Sequence, residues 1–353
     1  MRISAAKRDR AFAVIIALVA VTVLTLMAGA FAYAMKIETK LAANTNNDEE
    51  FYWIGRGGVE RACWWLALEG NMPFSSKQQY WAGGQGDGPE TNGPAAILAG
   101  ESLNGFPIGD GTVSLTLTEL ESKINVNTAD GPFLKEILTT QNADAGSISV
   151  VSDSILDWID PDDNTRPAGA ESDYYLGLTP SYNAKNAPMD STEELQLVKG
   201  VTHDMYYGTP PEQAPEHELG FGHAPNKDAN YNFGLADVFT AASSGKVNLL
   251  TADDSVLQCI PGLGDGSFHS AAVADLEAAR EESDPPVRNI QQLLAAAHVP
   301  QQAVGQIMNY VDVKGNTYKV EAKATIGQLT HTYTAIVYRS GPNVHVVSFY
   351  RSQ

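Results

Sequence analysis

The chain has 353 residues, 42 acidic against 23 basic side chains, a formal net charge of −19, and 43% hydrophobic residues. So acidic a surface repels phosphate backbones, whose binding needs clustered Lys and Arg, and nucleic acid is excluded as a partner. Two cysteines, Cys63 and Cys259, are too few for a disulfide framework, and the sequence leaves open whether they bridge.

Arg2, Lys7, Arg8 and Arg10 precede an uncharged run from Ala11 to Met35. At about 1.5 Å per helical residue the run reaches the roughly 30 Å of a hydrocarbon core, beyond the about 7 to 15 apolar residues of most secretory signals. It reads as a membrane anchor, ahead of a buried core helix or a signal peptide cut near Ala34. The basic leader and the mixed flank of Lys36, Glu38 and Lys40 put the N-terminus in the cytoplasm and the acidic body outside.

From Met35 to Glu69 there is no Pro, and Leu41, Phe51, Trp53, Ile54, Val59, Ala62, Trp65 and Leu66 recur broadly on one side. This pattern predicts that the membrane helix continues until Gly70 and Pro73 stop it, with Gly55, Gly57 and Gly58 weakening its continuity. Tyr80 to Pro107, rich in Gly, Asn and Pro, reads as surface loops. Thr112 to Leu120 then alternates Val113, Leu115 and Leu117 with Ser114, Thr116 and Thr118, the period of a strand with one buried face.

The same alternation returns from Tyr318 to Ile326, Thr332 to Tyr338 and Val344 to Tyr350, with turns at Gly327 and Ser340-Gly341-Pro342-Asn343, which reads as an antiparallel meander. Helical patterns fill the region between. The fold class is therefore α+β, an antiparallel sheet interrupted by a large helical insertion.

Inside the insertion, Lys123-Ile124-Asn125-Val126-Asn127-Thr128-Ala129-Asp130 is answered by Lys246-Val247-Asn248-Leu249-Leu250-Thr251-Ala252-Asp253. Each run opens a small helical module, with Thr128 or Thr251 placed to cap the helix and Asp130 or Asp253 in its first turn. The second module continues into Ile260-Pro261-Gly262-Leu263-Gly264, similar to the loop of helix-hairpin-helix domains. The adjoining Asp265 and the lack of a basic cluster favour helix packing over phosphate binding.

The densest polar constellation is Asp157-Trp158-Ile159-Asp160-Pro161-Asp162-Asp163-Asn164-Thr165-Arg166, followed by Glu171 and Asp173. Hard cations take about six to eight oxygen ligands, so Asp157, Asp160, Asp162, Asp163, Glu171 and Asp173 are candidate calcium ligands. The spacing is not an EF-hand. A solvated acidic loop is the equal alternative, and a catalytic carboxylate pair a lesser one. Trp158 and Ile159 are placed to anchor the preceding helix, and Arg166 to neutralise a carboxylate at the loop exit. His217 and His223, beside Glu216 and Glu218, form a weaker zinc or copper candidate among prolines. No metalloprotease, phosphate-loop or nucleophile-elbow motif occurs, so no catalytic residues are assigned.

These marks together resemble the K-type minor pseudopilin of bacterial type II secretion. Arg10-Ala11-Phe12-Ala13-Val14-Ile15-Ile16 resembles a type IV prepilin processing site, although Ala11 stands where glycine is usual. Asp157 to Asp162, Gly169 to Tyr175, Lys185 to Pro188, Ser191 to Leu197 and both Lys-led modules resemble the family's ectodomain pattern in order, over about residues 10 to 300. Leu250 departs from it, standing where a second asparagine is usual.

The resemblance implies cleavage by prepilin peptidase between Ala11 and Phe12 and methylation of the Phe12 amine. It also implies a tip position, because Ile16 replaces the glutamate that neutralises a neighbour's amine in ordinary pilin stacking. It implies a leader at 1–11, a pilin helix at 12–70, a first αβ part at 71–120, a helical insertion at 121–312 and closing strands at 313–353. Partners would be the I- and J-type minor pseudopilins in a tip complex, the peptidase and the inner membrane, with the secretin and secreted folded proteins as further candidates. The body would be periplasmic, the cofactor structural Ca2+, and the role non-enzymatic. The alternatives are a tip subunit of another type IV pilus-like machine and a membrane-anchored envelope hydrolase.

Overall fold

A computed structural model of the chain describes residues 5–86, 94–208, 231–263, 269–282 and 287–352. Helix α1 is unbroken over Ala5–Leu68, 64 residues. Its segment Phe12–Thr39 is long and apolar enough to cross a membrane, and none of it is buried. Within that segment Thr22 and Thr25 donate their hydroxyls back to the carbonyls of Val19 and Val21, both at 2.8 Å, so neither polar group is left bare.

The glycines expected to weaken α1 instead bring it close to a sheet. A Cβ on Gly55 would lie 2.3 Å from Cδ2 of Tyr333, and one on Gly58 2.7 Å from Cγ1 of Val113. Helix and strands can approach at those two levels only because the side chain is missing. Beyond α1, Glu69 accepts from the N–H groups of Tyr80 and Trp81, both at 3.0 Å, and Gly70 lies where a Cβ would strike the carbonyl oxygen of Gly341 at 2.0 Å. The helix thus stops where the chain must turn under a hairpin.

The sheet contains β1 (Phe106–Ile108), β2 (Gly111–Glu119), β7 (Thr317–Ile326), β8 (Leu329–Ser340) and β9 (Asn343–Arg351), antiparallel throughout and in that spatial order. Val113 faces Ala324, Leu115 faces Ala322 and Leu117 faces Val320, while Val320 and Ala322 face Ala335 and Tyr333 on β8. These residues, with Phe51, Ile54, Val59, Ala62 and Leu66 of α1, form one apolar core. The period-2 patterns predicted β2 and the meander because one face of each strand lies under α1.

Between β2 and β7 the insertion carries β3 (Ile124–Asn125), α2 (Gly131–Thr140), α3 (Ala145–Ile159), α4 (Ser172–Leu176), α5 (His203–Tyr207), α6 (Leu235–Val238) and β4 (Phe239–Thr240). It continues through β5 (Val247–Asn248), α7 (Asp254–Leu257), α8 (His269–Glu277), α9 (Ile290–Ala296), α10 (Gln301–Ile307) and β6 (Val311–Asp312). The repeated motifs become two parallel pairs, Ile124 opposite Phe239 and Val247 opposite Val311. In both, the Asn side chain accepts from the amide two residues on: Asn125 from Asn127 and Asn248 from Leu250, each at 2.9 Å. The insertion has its own core, which includes Phe133, Ile137, Ile155, Trp158, Leu235, Leu257 and Leu293.

The helix caps differ from the sequence expectation. Asp130, not Thr128, caps α2, accepting from the Phe133 amide at 2.9 Å. Thr128 turns back to the Asn125 carbonyl. Asp253 stands at the start of α7 without a side-chain cap bond and pairs with Lys77 at 2.7 Å. Asp is a strong cap residue in its own right, and the tight turn leaves both threonines two residues before the cap position. Cys63 and Cys259 are free and buried, and burial pushes the Cys63 thiol up to about 11.

Candidate functional site

The acidic loop is built from the end of α3 outward. Trp158 is buried against Tyr175, ring centroids 5.2 Å apart, and donates to Glu194 at 3.3 Å, which fixes the last turn of the helix. That turn delivers Asp157 into the interior and leaves Asp160 as the C-terminal cap residue. Arg166 closes the loop, its Nη1 donating to Asp157 Oδ1 at 2.6 Å and to Asp160 Oδ2, and its backbone N–H to Asp157 Oδ2 at 3.2 Å. Gly169 makes room for Asp157, because a Cβ there would fall 1.9 Å from Oδ2.

Glu171 is the unusual member. It is 3% exposed, and neither carboxylate oxygen has a hydrogen-bond partner. Burial, followed by the charges of Asp157, Asp160, Asp163 and Asp162, pushes its carboxyl up to about 7. Asp160 Oδ1 and Asn186 Oδ1 are likewise buried without a partner. Asp162 accepts from the Asn164 amide at 2.8 Å, and Asp163 from Asn186 Nδ2 at 2.9 Å.

Four of the six candidate carboxylates therefore crowd electrostatically on Glu171, while Asp173 sits exposed in the first turn of α4. Among the described residues no three His, Cys, Asp or Glu side chains converge closely enough to hold a metal ion as they stand. The donor set nonetheless fits a hard cation in kind: all oxygen, with a buried carboxylate lacking any donor. The sequence did not single out Asn186, Gly169 or Lys199, whose Nζ donates to the Gly169 carbonyl at 2.9 Å. Gly169 and Asn186 entered the sequence reading only within the runs that resemble the family's ectodomain pattern.

Phe12 and Ile16 lie in α1 with exposed side chains, and Ala11 is helical. His217, His223, Glu216 and Glu218 lie outside the described residues. A second feature was missed in the sequence, a groove of about 440 Å³ between α1 and β1 lined by Gly57, Arg61, Trp64, Phe106 and Ile108. Trp53, 67% exposed, lies one helical turn before Gly57.

Residues 114–211 match the family described as type II secretion system (T2SS), protein K. Over that segment the chain is similar to the type II secretion protein K family. It is 30% identical over 120 residues to the type II secretion system protein K of Aeromonas hydrophila, covering 29% of this chain and 36% of that protein. To the protein K of Klebsiella pneumoniae it is 26% identical over 114 residues, covering 29% and 35%. The chain thus spans little more than a third of the length of these relatives.

In fold, it is similar to a chain of the crystal structure of the GspK-GspI-GspJ complex from the enterotoxigenic Escherichia coli type 2 secretion system. The TM-score is 0.64 at 17% identity, over 88% of this chain and 99% of that one. The similarity supports the α+β architecture of this chain, with its apolar N-terminal helix and antiparallel sheet.

Proposed function

We propose that this chain is a non-enzymatic minor pseudopilin at the tip of a type II secretion pseudopilus, where it helps initiate assembly and export of folded proteins across the outer membrane. The observation that carries this reading is α1 itself: one continuous helix whose apolar 28-residue segment is not buried by any of the described residues and whose far end is built into a folded αβ body. A helix so exposed needs lipid or other helices around it, and apolar helix contacts can replace lipid contacts without exposure to water. The groove between α1 and β1, with Trp64 in its lining and Trp53 exposed one helical turn before Gly57, offers such a contact outside the membrane.

In this reading the N-terminus is cytoplasmic, the span lies in the bacterial inner membrane, and the body is periplasmic. Prepilin peptidase cuts between Ala11 and Phe12, and the Phe12 amine is methylated. Ile16 offers no carboxylate to a neighbour's amine, which suits a subunit that begins a stack. The partners are I- and J-type minor pseudopilins, in keeping with the complex that the structural neighbour forms, with the secretin and the exported proteins beyond them.

Calcium is the proposed structural cofactor of the acidic loop. When bound it would offset repulsion among the carboxylates and fill the empty coordination of the buried oxygens. Asp160, Asp162, Asp163 and Glu171 are the residues to hold it, with Asp173 at the flank. Asp157 is tied up by Arg166 and orients the loop.

The test of the tip role has two arms. Deleting the gene beside a working secretion machine should cut export of folded substrates, and the full-length chain purified in detergent should retain the I- and J-type subunits. Unchanged export, or a chain that retains neither subunit, would sink the reading.

A further inference from the structure

The insertion leaves the sheet after β2 and returns to it before β7, and the apolar cores on the two sides of this crossing do not merge. Polar groups occupy the gap instead. Glu119 and Glu121, at the end of β2, are 2% and 1% exposed. Glu119 accepts from Asn248 Nδ2 on both oxygens at 3.0 Å and from the Thr251 hydroxyl. Glu121 accepts from the Ser244 amide at 3.1 Å, and from the amide and hydroxyl of Thr317 at 2.9 and 3.0 Å.

Glu119 thus ties the sheet to the second module of the insertion, and Glu121 ties it to Ser244 just before that module. Asn248 also donates to the Ser75 carbonyl at 3.0 Å. Arg339 of β8, fully buried, lies over the Tyr318 ring at 4.8 Å and donates to Ser75 Oγ at 2.9 Å and to the Gly315 carbonyl at 3.0 Å. Gly315 is fitted to the site, since a Cβ there would sit 1.4 Å from Glu119 Oε1.

Apolar contact resists separation but has no preferred direction, whereas hydrogen bonds weaken steeply when bent. Buried acids with donors from two sides therefore resist rotation, and removing one leaves the donors unpaired in a dry site. We propose that Glu119 and Glu121 are positioning residues of a joint that fixes the angle of the insertion against the sheet, with Gly315 providing the space and Arg339 the compensating charge. The insertion then moves as a rigid extension of α1 and the sheet. The mechanical meaning of that rigidity rests on the secretion role proposed above, whereas the joint itself is independent of it.

The test is a spin-label distance distribution on the full-length chain in detergent, with Val347→Cys on β9 and Leu197→Cys on the insertion. Both positions are exposed, and the two native cysteines are buried. The otherwise unaltered joint should give one narrow peak. Glu119→Leu should broaden it while circular dichroism stays unchanged, and Glu119→Gln, which keeps an acceptor oxygen, should hold it narrow. If Glu119→Leu does not fold, Thr251→Val, which removes one donor at nearly constant volume, takes its place. A broad distribution with the joint intact, a narrow one in the folded disrupted variant, or equal broadening in Gln and Leu overturns the joint. None of these readings depends on secretion, so failure of the joint and failure of the tip role are separable.

Discussion

Glu119 shows how one buried group makes stability depend on pH. Burial pushes its carboxyl from 4.5 up to about 8, against the pull of the Thr251 and Asn248 hydrogen bonds and of Arg339, with Glu121 adding to the rise. Between those values the unfolded chain has lost the proton that the folded chain keeps, so folding takes up a proton and stability falls as pH rises. The contribution is complete below pH 4.5 and gone above about 8. Urea unfolding of the full-length chain in detergent should show that slope, and Glu119→Gln should flatten it; an equal slope in both would assign the dependence elsewhere. A second residue-scale prediction concerns Glu171, whose oxygens lack donors. Calcium at about a hundred times its Kd should add about 2.7 kcal/mol, and chelation should remove it. Glu171→Gln should lose most of the calcium-dependent shift in Tm, whereas a chain whose Tm ignores both calcium and chelator would remove the metal from the account. The acidic loop was legible because its carboxylates are neighbours in sequence. The Glu119 cluster was not, because its partners Asn248 and Thr251 are 129 and 132 residues away and each looks ordinary alone.

At the scale of elements, Gly55, Gly57 and Gly58 of α1 separate helix propensity from packing. Gly55→Ala gains about 1 kcal/mol of helix propensity but places a Cβ 2.3 Å from a ring carbon of Tyr333, which is held by a stacked Phe349 at 5.4 Å. Overpacking of this kind costs about 1–3 kcal/mol, so the net change should be a loss of up to about 2 kcal/mol by urea unfolding. Gly57→Ala is the control. Its Cβ would lie 3.2 Å from the flexible tip of Ile108, so the propensity gain should leave stability equal or higher. A destabilised Gly57→Ala beside an unaffected Gly55→Ala would mean that α1 meets the sheet by another face. Strands and helix were readable from periodicity, since burial of one face is written into the order of residues. The glycines were misread because a local pattern cannot distinguish a helix breaker from a helix brought close to a neighbour. The caps shifted for a related reason: Thr128 and Asp130 are both good cap residues, and only the turn set by Asn125 decides between them.

For the whole molecule, the strongest requirement is a cover for α1. Its membrane segment has an obvious solvent in lipid, but the aromatic rim beyond it does not: Trp53 and Trp64 stand exposed beside the groove formed with β1. Arg61 lies 4.8 Å over the Phe106 ring and pairs with Glu101, so the groove wall keeps these contacts when the 5.9 Å contact of Arg61 with the Trp64 ring is removed. Exposed aromatic side chains contribute little to the fold of an isolated chain, and much to an interface that buries them. Replacing both by Ala should therefore leave the Tm of the isolated protein within a degree or two, given that exposed substitutions typically shift stability by about 0.5 kcal/mol or less. The same double variant should lose co-purification with the I- and J-type subunits, by about thirtyfold or more in apparent affinity if either ring is a buried anchor worth at least about 2 kcal/mol. Retention equal to that of the unaltered chain would move the contact off this groove and onto the membrane segment alone. A fall in Tm together with retained partners would instead make the tryptophans part of the fold.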